Sequence, residues 1–333
     1  MIFATLKDGG RDGTLILVNR ARTHGVRAAP IVATLQSLLD DWEARLPALR
    51  QRAAQLEAGS AADSFPLDIS KLTAPLPRAY QFVDGSIYPH HMSVIREARG
   101  AKMPVDFYDT PLMYQGLSDK IIGPTEPILL TEDEAFGVDI EAEIVVITGD
   151  VPQGVAVDKA SDYVRLLGLL NDVSLRGLIP PELGRGFGFL QGKSASSMGP
   201  FVVTPDEVGS LWDGRLLSGR YVCHIRDKVI GDLEPGADAA FDYRQLIAHA
   251  ARTRELRAGT VLGAGALANA DRRHGCGCIA ELRAREQLAG QTELTGYLRF
   301  GDHLRLEMFD REGRSIFGAI AQQLQRWPGE RRG

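Results

Sequence analysis

Cysteine is scarce in this chain: Cys223, Cys276 and Cys278 are the only three in 333 residues. An odd count with no apolar leader fits a reducing compartment and gives no disulfide framework. Cys276 and Cys278 are one residue apart and no second pair exists, which argues against a thiolate metal site. Long hydrophobic runs are missing too. No stretch approaches the roughly 20 apolar residues that span a bilayer. The opening MIFATLKDGGRDG carries charges where a secretory signal needs an apolar core. The expectation is a cytoplasmic protein with no membrane role. A strong charge bias is also lacking: a net charge of -5 gives no electrostatic reason for nucleic acid as a partner. No internal repeat or low-complexity segment is present.

What the chain does have is 44% hydrophobic residues, enough for a sizeable core in one large domain or two unequal ones. Ile2–Leu6 and Gly13–Val18 read as strands joined by the turn-rich KDGGRDG, hence a hairpin. Helical spacing follows in Ile31, Leu35, Leu38, Leu39, Trp42, Leu46, Leu49, Ala53 and Leu56, with Pro47 expected to divide it into two helices. Two prolines in TAPLP (73–77) favour an extended crossing. Residues 1–75 are therefore expected to form a small cap-like N-terminal domain, and residues 78–330 the catalytic one.

In the second part, short strands alternate with glycine turns: Glu141–Thr148, Gly199–Val203, Leu217–Ile225, Thr260–Leu262, His303–Phe309 and Ser315–Ile320. Helices are expected at Ser161–Leu170, after a Thr204–Glu207 capping box, and at Asp242–Leu256 with Asp242 as N-cap. The fold class is α+β, rich in β.

The stretch with the most chemical content is Phe136–Ile147, FGVDIEAEIVVI. It reads as one strand, rich in β-branched residues and flanked by turns. Alternation then puts Asp139, Glu141 and Glu143 on one face, about 7 Å apart, where like charges oppose each other's ionisation. The face is either plain solvent or a cation site. Asp172, in NDVSLR where the chain leaves an apolar stretch, supplies a third carboxylate. Carboxylates without nearby cysteine or histidine suit a hard cation, Mg²⁺, Mn²⁺ or Ca²⁺. Lys193 lies among glycines and small residues and can approach a ligand as a point cation, or be a surface lysine. His90 and His91 lie in the turn-rich DGSIYPHHMS, where a histidine is available as a general base or is simply polar loop. The loop FYDTPLMYQG (107–116) either walls a pocket or packs. Gly263-x-Gly265-x-x-Ala268 imitates a dinucleotide fingerprint, but no βαβ pattern surrounds it. Its glycines instead suit close approach of backbone amides to an anion. Glu281 follows a glycine-rich turn as either a surface carboxylate or the partner of a histidine.

Taken in order from Asp84 to Gln322, these landmarks resemble the fumarylacetoacetate hydrolase family. Its E-x-E and later N-D appear as Glu141, Glu143 and Asp172. Its lysine before P-x-V-V-T-P-D-E appears as Lys193 with PFVVTPDEVG. Its Y-x-x-H appears as Tyr88 and His91, and its late G-x-x-x-E around Glu281. The N-terminal MIFATLKDGGRDG and the PLMYQG loop look like a bacterial subgroup with its own small N-terminal domain. The resemblance implies a mixed β-roll fold, a homodimer and a divalent cation, Mg²⁺ first, held by Glu141, Glu143 and Asp172. It implies hydrolysis of a C–C bond in a fumarylacetoacetate- or acylpyruvate-like 1,3-dicarbonyl acid. His91, oriented by Glu281 with Glu97 as the alternative, would activate water, and an enolate would be held by the metal and Lys193. Arg176, one helical turn after Asp172, matches a family arginine for a substrate carboxylate; Tyr88, Gly265 and Ala266 are further substrate contacts. Two departures stand out. Gly263-Ala264-Gly265-Ala266 lacks the hydroxyl of a G-S-G-T-like stretch, and Asp106-Phe107-Tyr108 resembles a ligand motif but follows His91, so Asp106 is left out of the metal set. The alternatives are isomerisation, decarboxylation or hydration of a 2-oxo acid on the same site, or a ligand-binding homologue without catalysis.

Overall fold

The computed structural model describes residues 1–329, so the expected boundary at residue 330 lies outside the described residues. An 11-stranded mixed sheet carries the site. Its centre is Ala142–Thr148, flanked by antiparallel Val164–Asn171 and Thr260–Gly263. Beyond Thr260–Gly263 come parallel Gln81–Gly85 and antiparallel Met113–Gly116. Beyond Val164–Asn171 comes Ser197–Val203, and on its far edge Ile2–Leu6 pairs through Ile2 and Val203. The N-terminal hairpin Ile2–Leu6/Thr14–Val18 thus extends the same sheet. A five-stranded sheet includes Arg220–Ile225, His303–Phe309 and Ser315–Arg326.

The central strand is apolar on both faces because both are covered. Ile144 and Val146 face the core shared with Leu306, Phe317 and Ile320. Val145 and Ile147 face the core shared with Leu38, Trp42 and Leu49 of the N-terminal helices. The β-rich α+β expectation holds.

Several local expectations do not. Ser161–Leu170 is not a helix: a 3₁₀ turn at Ser161–Tyr163 leads into the strand Val164–Asn171. A leucine-rich run buried on both faces has no period by which to tell strand from helix. The N-terminal helices divide at Asp41, as Leu35–Asp40 and Trp42–Glu57, with Pro47 inside the second. Pro47 is exposed, so water can serve the carbonyl its missing N–H leaves free. The Thr204 turn forms without its capping box, because the Thr204 hydroxyl accepts the Met1 amine. The Asp242 helix stops at Ala250, its capping box with Gln245 in place; Leu256 instead pairs with Val151. FGVDIEAEIVVI is two strands, Val138–Asp139 and Ala142–Thr148. The first pairs with Ser174–Leu175 in a separate two-stranded sheet.

Candidate active site

His91 lies on a helix rather than in a loop. Pro89–Ala98 is helical, with Pro89 in the first turn, where its missing N–H costs nothing. A second helix, Ile279–Leu288, follows the glycine-rich GCGC, and Cys278 caps it: its sulfur accepts the Glu281 amide at 3.4 Å. This places Glu281 Oε2 2.9 Å from His91 Nδ1, while Glu281 Oε1 pairs with Arg285. Burial pushes the Glu281 carboxyl up, but His91 and Arg285 outweigh it and hold it below its usual value. An ionised Glu281 makes His91 Nδ1 the donor and leaves Nε2 as an acceptor. Glu97 is exposed and has no such contact.

The carboxylates meet where strands end. Asp84, Glu141, Glu143 and Asp172 each offer an oxygen within 4.8 Å of the others, and all four are buried. Sheet register explains the meeting: Asp84 pairs with Gly263, and Gly263 with Val145. A side chain at 263 would clash with Asp84 Oδ1 and put its Cβ 2.5 Å from Glu143 Oε2. Glycine there lets the two acids converge.

Lys193 Nζ donates to Glu141 Oε2 at 2.8 Å, Asp172 Oδ2 at 2.6 Å and Ser174 Oγ at 2.7 Å. Arg176 Nη2 donates to Glu141 Oε1 at 2.6 Å. Asp172 also accepts from Ser196 at 2.7 Å and from the Tyr114 hydroxyl. Burial opposes ionisation of Glu141, but Lys193 and Arg176 pull its carboxyl down to about 2. Burial likewise disfavours the Lys193 ammonium, yet Asp172 and Glu141 raise it above its usual value. Among the described residues, the other two acids form no ion pair. Burial and the charge of Asp172 push Asp84 up to about 7. Burial and Asp84 push Glu143 well above the carboxylate range. Glu143 Oε1 is buried without a hydrogen-bond partner, and the Gly265 amide donates to Asp84 at 3.1 Å and Glu143 at 3.3 Å. An orphaned oxygen in an all-oxygen cluster of like charge fits a hard divalent cation.

Asp139 is neither solvated nor part of this cluster. It accepts from Arg176 Nε at 2.8 Å and from the amides of Ile279 and Ala280 at 2.7 and 3.0 Å. It thereby ties Arg176 to the start of the Glu281 helix. Arg176 reaches the cavity wall from a strand-and-turn segment, not a helical turn after Asp172, and its Nε and Nη2 donate to Asp139 and Glu141. Tyr88 points away: it is buried and donates to the Pro235 carbonyl at 2.8 Å. Gly265 and Ala266 do line the cavity. Gly265 has φ +83°, and a Cβ there would lie 2.5 Å from the Gly85 carbonyl.

The cavity has a volume of about 570 Å³. One end holds Asp84, Glu141, Lys193 and His91, and Met92, Ile95, Met113 and Phe189 make an apolar wall. Arg96 and Arg99 line it as well. Arg96 donates to the Lys102 carbonyl at 3.1 Å, and its Nε has no partner. Burial and the charge of Arg176 lower Arg99 below its usual value. Among the described residues, neither forms an ion pair. Sequence reasoning missed Asp84 and Tyr114. The signal for Asp84 was an acid ending the apolar strand QFVDG just ahead of His91, and Tyr114 lay in the aromatic loop already suspected of walling a pocket.

The family model described as "Fumarylacetoacetate (FAA) hydrolase C-terminal" matches residues 82–325, and "Fumarylacetoacetase N-terminal domain 2" matches residues 1–78. A 2,4-didehydro-3-deoxy-L-rhamnonate hydrolase of Sphingomonas sp. (strain SKA58) is 33% identical over 106 residues, 31% of this chain and 36% of that protein. The mitochondrial oxaloacetate tautomerase fahd2 of Xenopus laevis is 29% identical over 161 residues, 46% and 47% of the two chains. The chain thus spans less than half the length of either relative. The maleylpyruvate hydrolase of Sphingobium sp. SYK-6, solved with manganese(II) and pyruvate, matches with a TM-score of 0.64 at 17% identity. That match covers 98% of this chain and 99% of the other, and the likeness is one of fold.

Proposed function

This chain belongs to the fumarylacetoacetate hydrolase family, an enzyme family with hydrolase and tautomerase members, and from that premise we propose that it is a divalent-cation-dependent hydrolase of a C–C bond in a 1,3-dicarbonyl acid. The observation that carries this is convergence: a Glu281-oriented histidine, a buried lysine and two members of a four-carboxylate cluster, Asp84 and Glu141, line one cavity. Asp84, Glu141, Glu143 and Asp172 would hold the cation, Mg²⁺ first and Mn²⁺ or Ca²⁺ as alternatives. When bound there, the ion supplies Lewis-acid polarisation of substrate oxygens.

The chain's own groups do the rest. His91 Nε2 takes a proton from water, and Glu281 stabilises the imidazolium that forms. The hydroxide adds to the carbonyl carbon. The C–C bond then breaks, releasing one carboxylic acid and leaving its electron pair on the other fragment as an enolate. The Lys193 ammonium stabilises charge on the oxygen, and the proton held by His91 returns to the enolate carbon. Arg96 and Arg99, free of carboxylate partners across an apolar wall, suit a substrate with a second anionic group at its far end. The protein is proposed to work as a cytoplasmic homodimer, which sedimentation would test.

The second reading is isomerisation, decarboxylation or hydration of a 2-oxo acid through the same enolate. The similarity to an oxaloacetate tautomerase supports it. Product analysis on acylpyruvates and longer 2-oxo diacids with Mg²⁺ or Mn²⁺ separates the two. Hydrolysis gives two acids and isomerisation one product of unchanged mass. Full activity after chelation, or in Glu141→Ala, overturns both.

A further inference from the structure

Glu182 is a buried carboxylate beside the cavity whose oxygens accept from backbone amides and, among the described residues, form no ion pair. It lies on the short helix Ile179–Arg185, whose Ile179 and Leu183 line the cavity. Its Oε1 accepts from Gln191 N at 2.7 Å and Leu190 N at 3.1 Å. Its Oε2 accepts from Gly192 N at 2.9 Å and shares the Leu190 amide at 3.2 Å. Three consecutive amides converge on one carboxylate, and the Gln191 amide foremost holds that carboxyl below its usual value.

The next residue is Lys193. On its other side the chain is held by the segment after Asp172: Leu175 N donates to the Gly192 carbonyl at 2.8 Å and Ser194 N to the Val173 carbonyl at 3.2 Å. A Cβ on Gly192 would lie 2.7 Å from Ile179 Cγ1 and 2.9 Å from Glu182 Oε2. Only glycine allows the approach. Packing does not hold the rest of this loop, since Phe187 is 100% and Leu190 87% exposed. Phe189, just ahead of the clamped amides, stands edge-on to Tyr114 at 4.8 Å with its ring 5.9 Å from Lys193 Nζ.

We propose that Glu182 is a positioning residue: its carboxylate clamps the amides of Leu190, Gln191 and Gly192 and so fixes Lys193 and Phe189 against the substrate. The ammonium's own bonds do not suffice for this. Two of the three run to Glu141 Oε2 and Asp172 Oδ2, acceptors on residues that a cation would also draw on, and only the third, to Ser174 Oγ at 2.7 Å, is independent of it. When those acceptors are shared, the backbone clamp keeps Nζ in place. This role rests on the reading that Lys193 acts on the substrate.

The test is Glu182→Gln, which keeps the size but turns an NH₂ toward the amide donors. In manganese-loaded protein, hydrogen exchange of segment 186–193 should rise, and so should reductive methylation of Lys193. With an active substrate, kcat should fall roughly 10- to 100-fold while KM stays within about threefold. In a Lys193→Met background the same substitution should add nothing to the loss in kcat. Unchanged exchange and methylation overturn the clamp. An equal kcat loss with and without Lys193 overturns the positioning role. A wild type inert on every oxo acid sinks the proposed function instead, while exchange and methylation still decide the clamp.

Discussion

The two halves of the acidic cluster share a cavity end yet sit in opposite electrostatic states. Glu141 and Asp172 are saturated by Lys193, Arg176, Ser196 and Tyr114. Asp84 and Glu143 are equally buried but, among the described residues, meet only each other and the Gly265 amide. At the same depth, Glu141 is held well below the usual carboxylate range, while burial and neighbouring carboxylates push Asp84 and Glu143 up. What differs is whether the chain itself supplies the positive charge. The chain neutralises the first half itself; in the second, the proposed cation would bring the missing positive charge.

Glu141→Gln probes the saturated half and carries the largest expected effect on stability. It leaves Lys193 with Asp172 and Arg176 with Asp139, so the loss should be about 3 kcal/mol, the low end for breaking a buried pair. Urea unfolding of the cation-free protein measures it. Glu143→Gln mimics the protonated state that this half already prefers. It should change cation-free stability by less than about 1 kcal/mol and yet weaken Mn²⁺ binding more than about 10-fold by calorimetry. Equal stability losses in the two variants would erase the distinction.

The pH response sharpens the same contrast. Asp84 is at about 7 in the folded chain against an ordinary 3.8. Below pH 4 both states hold the proton. Between about 4 and 7 the unfolded chain releases it and the folded chain keeps it, so stability falls as pH rises, and above 7 the loss is complete. The cation-free protein should therefore melt lower at pH 8 than at pH 5. Added Mn²⁺ should raise melting most at pH 8, and Asp84→Asn should flatten this part of the slope. Glu141, at about 2 against an ordinary 4.5, has the opposite sign: the stability it contributes is lost progressively as pH falls from about 4.5 to about 2, below most of that window.

The saturated half was legible in the sequence and the other only by half. Glu141, Glu143, Asp172 and Lys193 lie in recognisable local patterns, and the structure brings them together. Asp84 reaches them through a parallel pairing of Gln81–Gly85 with Thr260–Gly263, which leaves no trace in local spacing. His303–Phe309 was readable because alternation marks a half-covered strand, and Ile2–Leu6 because the turn-rich KDGGRDG follows it. Val164–Asn171, buried on both faces, carries no such mark. The helices bearing His91 and Glu281 were hidden by the turn formers just ahead of them, GSIYP and GCGC, although the pairing of the two side chains was anticipated. Tyr88 lies in the expected motif but spends its hydroxyl on Pro235; a motif position does not say which way a side chain turns.

Tyr114→Phe is the smallest test of the contrast and the most discriminating for the saturated half. The hydroxyl donates to Asp172, which keeps Lys193 at 2.6 Å and Ser196 at 2.7 Å when it is gone. The ring remains to meet Phe189 edge-on. No buried charge is left unpaired, so the loss should be that of one hydrogen bond, about 1 kcal/mol, measured by urea unfolding of the cation-free protein. A loss above about 3 kcal/mol, the scale of a broken buried ion pair, would mean that Lys193 and Ser196 cannot hold Asp172 without the tyrosine, and that the saturated half depends on the Met113–Gly116 strand for its charge state.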